Sequence, residues 1–440
     1  MMGNFTKNTL ITFVTRVLTA VFGIIITIII ARTLGLEGQG IYSLAILLPS
    51  TLFVFSLFGI NTSTIFYIGK KKYSPQEVFG SNIFFTLFLS ILAVLAGLII
   101  IFFFGNRIFP GVEKSYLFLA LSIIPFNIFF ILISSVLLGL QKIKKYNFLA
   151  FFQSFLYLFL IAALTLALRL GVGAAILVQS ISYLLVGIAL FFVVKKESGG
   201  MVLKLNKGYI KDATSYGLKN YLGWVLNFLH YRINMFLINI FLNPIAVGIY
   251  FIAVRLAESI WLISQSVATV LFPKVSSENS EKNLKEFTPL VFRNVLFITL
   301  AVALLLFIFS HWLIVFFYSN EFLGSVLPFQ ILLAGTPLIA GWQILANDIG
   351  GRGKPMINTY VSGFSVILNI ALNVFFIPRW GIAGAALATV ISYSVLFSIT
   401  IFIYAKISQN RIKDIILPQQ RDVLFYKNFL LSLKNFKKIV

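Results

Sequence analysis

Apolar residues run along this chain in blocks of about 20, each closed by a cluster of Gly, Pro, Lys or Asn. A helix of that length crosses the ~30 Å hydrocarbon core of a bilayer. The blocks predict an all-α polytopic membrane protein with about twelve spans, near 9–31, 40–67, 80–104, 116–139, 147–168, 173–194, 216–241, 246–271, 291–310, 324–346, 357–377 and 382–405. Those at 40–67 and 246–271 are long enough to require tilt or a kink. The longest polar connection, from Lys195 to Ser215 with Ser198-Gly199-Gly200 inside it, separates six spans from six. The predicted organisation is an N-terminal lobe at 1–194, a linker at 195–215, a C-terminal lobe at 216–407 and a tail at 408–440. In the tail, Phe425, Tyr426, Phe429, Leu430, Leu433 and Phe436 share one helical face, with Arg421, Lys427, Lys434 and Lys438 largely opposite. That pattern predicts a basic amphipathic helix lying on the cytoplasmic membrane surface as an anchor.

The polar positions inside the spans are few and patterned. In the first, Asn8, Thr12, Thr15, Arg16, Thr19, Gly23 and Thr27 recur at helical spacing and form one stripe. Arg16 at membrane depth costs about 2.5–3.5 kcal/mol on insertion scales, so the stripe faces protein or a water-filled cavity. Asn220, Asn227, His230 and Asn234 line one face of the seventh span, with Arg232 on a flank. The eighth carries Arg255, Glu258, Gln265, Ser266 and Thr269. Arginines outnumber the one clear intramembrane acid, so a cavity lined by Arg16, Arg255, Arg232, His230, Asn227 and Asn234 would attract a phosphate or pyrophosphate through fixed charge and bidentate donor forks. Simpler roles exist for several of these. Arg255 and Glu258 can pair across one helical turn, or Glu258 can serve coupling. Arg232 can snorkel outward, and His230 can be a packing residue. Asp348, near the inner end of span ten, reads as a boundary residue.

Composition and charge sharpen this picture. Of 440 residues, 59% are hydrophobic and 11% charged, against roughly 25% charged in soluble proteins. There is no cysteine, which excludes disulfides and thiolate metal sites. The first span continues without a small-residue cleavage site, so it reads as retained. The net charge of +22 would suggest nucleic acid in a soluble chain. Here, with the N-terminus inside, 27 of the 35 Lys and Arg fall on the cytoplasmic side and five outside. The cytoplasmic count includes Lys219 and Arg293 at the cytoplasmic ends of spans seven and nine; Arg16, Arg232 and Arg255 make up the remainder, deeper within spans. The charge is thus a topology signal placing both termini in the cytoplasm, and no nucleic-acid partner is expected.

The halves repeat. Gly40-Ile41-Tyr42 recurs as Gly248-Ile249-Tyr250, and Arg169-Leu170-Gly171 with Ile181-Ser182-Tyr183 recurs as Arg379-Trp380-Gly381 with Ile391-Ser392-Tyr393, at offsets of 208 and 210. Six spans per copy make the repeats parallel, related by an axis along the membrane normal. Enzyme chemistry finds no foothold. Gly350-Gly351-Arg352-Gly353-Lys354-Pro355 lacks the spacing and hydroxyl of a phosphate loop. The two histidines, His230 and His311, are far apart, and no metal site or cofactor is expected.

The segment Ala31-Arg32-Thr33-Leu34-Gly35-Leu36-Glu37-Gly38-Gln39-Gly40-Ile41-Tyr42 resembles the A-R-x-L-G-x-x-G-x-G-x-Y segment of Wzx-type oligosaccharide flippases. These belong to the MOP superfamily with MATE exporters and lipid II flippases. The resemblance covers roughly residues 5–405 and departs at Leu36, where proline is common. It implies a V-shaped pair of six-helix lobes around a central cavity. It also implies alternating access that carries an undecaprenyl-pyrophosphate-linked glycan from the cytoplasmic to the outer leaflet of the bacterial cytoplasmic membrane. The prenyl tail would stay in membrane lipid. Arg16 and Arg255 are similar to cavity-lining arginines of such relatives, whereas Arg32, Gly35, Gly40 and Tyr42 belong to the motif and would serve gating or lobe packing. H+ or Na+ as coupling ion and contact with the polysaccharide polymerase are further implications. The competing readings are a MATE-like exporter of organic cations, which wants acids in the cavity, and a membrane polymerase or glycosyltransferase, which wants a large outer loop or a carboxylate-bearing loop.

Overall fold

The computed structural model describes residues 2–278 and 280–419; the amphipathic tail helix predicted beyond Pro418 falls almost wholly outside them. The described residues are helical nearly throughout, as lipid demands when every backbone N–H and C=O must find an internal partner. In order the helices are α1 (Met2–Ser56), α2 (Ile60–Gly69), α3 (Pro75–Ile99), α4 (Gly105–Ile108), α5 (Lys114–Leu121), α6 (Ile123–Gly139), α7 (Ile143–Ile161) and α8 (Val172–Glu197). The second half of the chain forms α9 (Lys207–Phe241), α10 (Pro244–Glu258), α11 (Trp261–Ser277), α12 (Glu281–Ile308), α13 (Ser310–Phe317), α14 (Val326–Gly351), α15 (Pro355–Ser408) and α16 (Ile412–Ile416).

Among the described residues, eight helical stretches are long and apolar enough to cross a membrane, or nine if α10 and α11, bent by 45°, form one broken span. Two are far longer than a bilayer. The stretch Leu10–Ser56 has 47 residues and α15 has 54, about 70–80 Å if straight. Each breaks at a glycine, Gly35 (φ 68°, ψ −170°) and Gly381 (φ 57°, ψ −139°). These are backbone conformations that a Cβ would strain. The predicted boundaries between the first and second spans, and between the eleventh and twelfth, fall at these two breaks, Gly35 and Gly381.

By contact the chain forms two compact units, and neither is a continuous stretch of sequence. The first holds the chain up to Arg255 together with His311–Val326 and Asn373–Ala385. One part of its core is Ile26, Ile30, Tyr42, Ala45, Ile123, Ile161 and Ile176. Its α9 is fastened to the preceding helices at its N-terminal end. Gly59 (φ 71°) lets the backbone approach Gly217, whose carbonyl oxygen would lie 2.5 Å from a Cβ there. Nearby the buried Tyr209 hydroxyl donates to Asn82 Oδ1 at 3.0 Å, and Asp212 accepts from Tyr73 at 2.6 Å and pairs with Lys72.

The second unit holds Leu256–Ser310, Leu327–Leu372 and the chain from Ala386 onward. Leu271, Leu284, Phe292, Ile344, Ile349 and Tyr404 belong to its apolar core. Asp348, which the sequence pattern places at a membrane boundary, is fully buried here. It accepts from Thr288 Oγ1 at 2.5 Å and pairs with Arg352 one turn along, while Arg352 also reaches Glu281 at 2.6 Å. The carboxylate is buried with both partners supplied nearby, one from α12 and one from the turn that follows its own helix.

Candidate anion site on the first helix

The polar stripe on α1 is sorted by what each side chain touches. Thr12 accepts from Asn147 Nδ2 of α7 at 2.8 Å. Thr19 donates to the Arg16 carbonyl at 3.0 Å, and Thr27 to the Ile24 carbonyl at 2.7 Å. Thr27 also shares a 3.2 Å hydrogen bond with the Tyr318 hydroxyl. These three threonine hydroxyls are thus satisfied, and the charged group on the stripe is the Arg16 guanidinium. It is exposed, and among the described residues it has no ion-pair or hydrogen-bond partner.

A second arginine joins the same stripe from elsewhere in the chain. Arg255, near the end of α10, lays its guanidinium over Gly23, where a Cβ would sit 2.1 Å from Nη2. It too has no ion-pair or hydrogen-bond partner among the described residues. Elsewhere in the same unit the hydroxyls of Tyr42 and Tyr157 hydrogen-bond to each other. Gly23 lies seven residues, or almost two full turns, from Arg16, so the two positions share a face about 10 Å apart along the axis. Two guanidinium groups on one face of an apolar helix are chemically suited to hold an anion with several oxygens. Each offers a planar fork of donors, and in a low dielectric their attraction for phosphate is stronger than in water.

The other predicted lining residues are placed as follows. Asn234 is buried, donating to Tyr250 at 3.2 Å and accepting from Asn373 at 2.9 Å. Its hydrogen bonds are thus engaged in a network of α9, α10 and α15. His230 is also buried, whereas Asn227 and Arg232 are half-buried, with Arg232 Nη1 3.4 Å from the Tyr231 carbonyl. Glu258 is half-buried and falls in the second unit, whereas Arg255 ends the first stretch of the other.

The motif residues sit at close backbone approaches. Arg32 donates from Nε to the Phe317 carbonyl at 2.8 Å and from Nη2 to that of Phe316. It thereby caps the end of α13, where unpaired carbonyls carry the negative pole of the helix. Gly40 and its repeat counterpart Gly248 meet. A Cβ at Gly40 would lie 1.8 Å from the Pro244 carbonyl oxygen, and one at Gly248 would lie 2.6 Å from that of Leu36 and 2.9 Å from Gly40 N. Contact of equivalent residues is what a two-fold relation between repeats produces at its axis. Sequence reasoning does not find the roles of Gly23, Tyr157, Tyr318 and Asn373 in these contacts. Only the glycine carries an advance signal, as a gap in the stripe beside Arg16.

Comparison with known proteins agrees with this architecture. Residues 29–327 match the family described as "Polysaccharide biosynthesis protein". An uncharacterized membrane protein of Methanocaldococcus jannaschii is 24% identical over 397 residues, covering 87% of this chain and 93% of that one. A probable low-salt glycan biosynthesis flippase of Haloferax volcanii, Agl15, is 33% identical over 168 residues, 36% of this chain and 34% of that protein. The chain is similar in fold to the lipid II flippase MurJ in an inward closed conformation (TM-score 0.74, 18% identity, 92% of this chain and 89% of that one). It is also similar to an inward-facing multidrug resistance MATE transporter of the MOP superfamily (TM-score 0.76, 14% identity, 89% and 94%).

Proposed function

Because the chain belongs to the polysaccharide biosynthesis protein family, we propose that it is a flippase for a lipid-linked glycan, with no catalytic step of its own. The cargo is an oligosaccharide on a polyprenyl pyrophosphate, undecaprenyl in the reading from sequence, moved from the cytoplasmic to the outer leaflet. Twelve spans in two six-helix lobes alternate access, with both termini in the cytoplasm and H+ or Na+ as the coupling ion. The observation that carries this reading is the pair of unpartnered guanidinium groups, Arg16 and Arg255, on the α1 stripe. An ionised pyrophosphate cannot enter hydrocarbon unaided, since desolvating such a charge costs tens of kcal/mol. Two fixed cations with ten donors between them replace the lost water, while the prenyl chain stays in lipid. The MOP fold and the flippase named among the relatives support the same direction.

Purified protein in liposomes should translocate a lipid-linked oligosaccharide, and Arg16→Ala should abolish surface-glycan export in a strain dependent on this protein. Intact export with Arg16→Ala would refute the phosphate contact. Transport of a cationic dye without any lipid-linked sugar would replace the flippase by a MATE-like exporter.

A further inference from the structure

We propose that Gly23 is the positioning residue for Arg255: its missing Cβ forms the niche on α1 that seats the Arg255 guanidinium beside Arg16. The inference rests on reading the two arginines as the phosphate site, and it adds the residue that sets their geometry. Three observations carry it. A methyl at Gly23 would overlap Arg255 Nη2 at 2.1 Å, with Cζ at 3.4 Å and Nε at 3.9 Å. The atoms it would displace are thus the end of a long flexible side chain, with no backbone among them, so the helix itself can accept alanine. Gly23 lies in the unbroken part of α1, twelve residues before the left-handed Gly35, so its own backbone conformation does not call for glycine. What a residue with a side chain would lose here is room for Arg255.

That room decides what the site can bind. Arg255 makes no ion pair that would hold its head elsewhere. The hydroxyls that could steer it from other elements are already engaged, Tyr42 with Tyr157 and Tyr318 with Thr27. With the niche open, Nη2 of the guanidinium points end-on into it, on the α1 face that also carries Arg16. With the niche filled, the head must lift away, and the two cations no longer address one pyrophosphate together. Gly23 therefore acts on binding through Arg255 and touches no substrate.

The test uses full-length protein in detergent with farnesyl pyrophosphate as the probe, comparing wild type with Gly23→Ala, Arg255→Ala, the double variant, Arg16→Ala and Gly69→Ala. Gly69 has nothing within 4 Å of a built Cβ and serves as the control. Gly23→Ala should weaken binding about tenfold, with a melting temperature at or above that of wild type, as alanine in a helix implies. The double variant should bind no more weakly than Arg255→Ala alone, because one interaction is lost only once. Wild-type affinity in Gly23→Ala alongside weakened Arg255→Ala would overturn the niche while leaving the phosphate site standing. Additive losses in the double variant would overturn it equally. Unchanged affinity in both Arg16→Ala and Arg255→Ala would overturn the phosphate site and the niche with it.

Discussion

Substituting alanine for Gly40 tests how much of the fold depends on the contact between the two repeats. The methyl would be placed 1.8 Å from the Pro244 carbonyl oxygen and 2.6 Å from its carbon, where real contacts stay above 3.0 Å. Because the obstruction is backbone, no rotamer change relieves it. α1 and the start of α10 must part by at least roughly 1 Å, and overpacking of this kind costs about 1–3 kcal/mol. Alanine regains up to ~1 kcal/mol as a better helix former than glycine, so the net loss should be about 1–2 kcal/mol. Gly248→Ala meets the Leu36 carbonyl oxygen at 2.6 Å and should lose a similar amount. The double variant should lose less than the sum, since helices already parted by one methyl have room for the other. The measurement is unfolding of purified protein in mixed detergent–SDS micelles, followed by tryptophan fluorescence. Gly69→Ala gives the baseline for a glycine in open space. If Gly40→Ala is as stable as Gly69→Ala, the close approach of the repeats contributes nothing, and the reasoning fails.

Two further tests address charge. Asp348 is fully buried with Thr288 and Arg352 as partners, so Asp348→Leu should destabilise by about 1–3 kcal/mol in the same unfolding assay, since Thr288 and the Arg352 Nε lose their acceptor while Glu281 still pairs with Arg352. The double variant Asp348→Leu/Arg352→Met should recover most of that loss; no recovery would mean that the pair is not the unit. The Lys72–Asp212 pair gives a pH dependence. Asp212 is held below its ordinary value by hydrogen bonds from Lys72 and Tyr73, and Lys72 is held above its own by Asp212. The carboxylate's contribution is therefore present above 3.8 and lost as pH falls through its lowered folded value. The ammonium's contribution is present below 10.5 and lost as pH rises through its raised folded value. Asp212→Asn should melt slightly below wild type at pH 7, with the gap closing as the pH drops below 3.8; the effect is small because the pair is at the surface. A gap that persists in acid would refute the assignment.

The sequence by itself determined the helical class, the placing of apolar stretches, the internal repeat and the presence of arginine at membrane depth. All of these follow from local periodicity, composition and charge asymmetry. It also marked Gly40 and Gly248 as equivalent, through an offset of 208, without showing that they touch. Tertiary structure decided the partners. Arg255 meets Gly23 across 232 positions of sequence, and Arg32 caps carbonyls 284 and 285 residues away. Asn234, on the face that periodicity marks as polar, is engaged with Tyr250 and Asn373. Asp348, at the end of an apolar block, is buried. Periodicity states which face of a helix is polar, because that depends on 3.6 residues per turn alone. Which neighbour meets that face depends on how two helices cross and rotate, and that is set by side-chain packing and close glycine contacts summed over the whole chain. The polar stripe of α1 and the candidacy of Arg255 were therefore legible from the start, while the meeting of Arg255 with Gly23 was not.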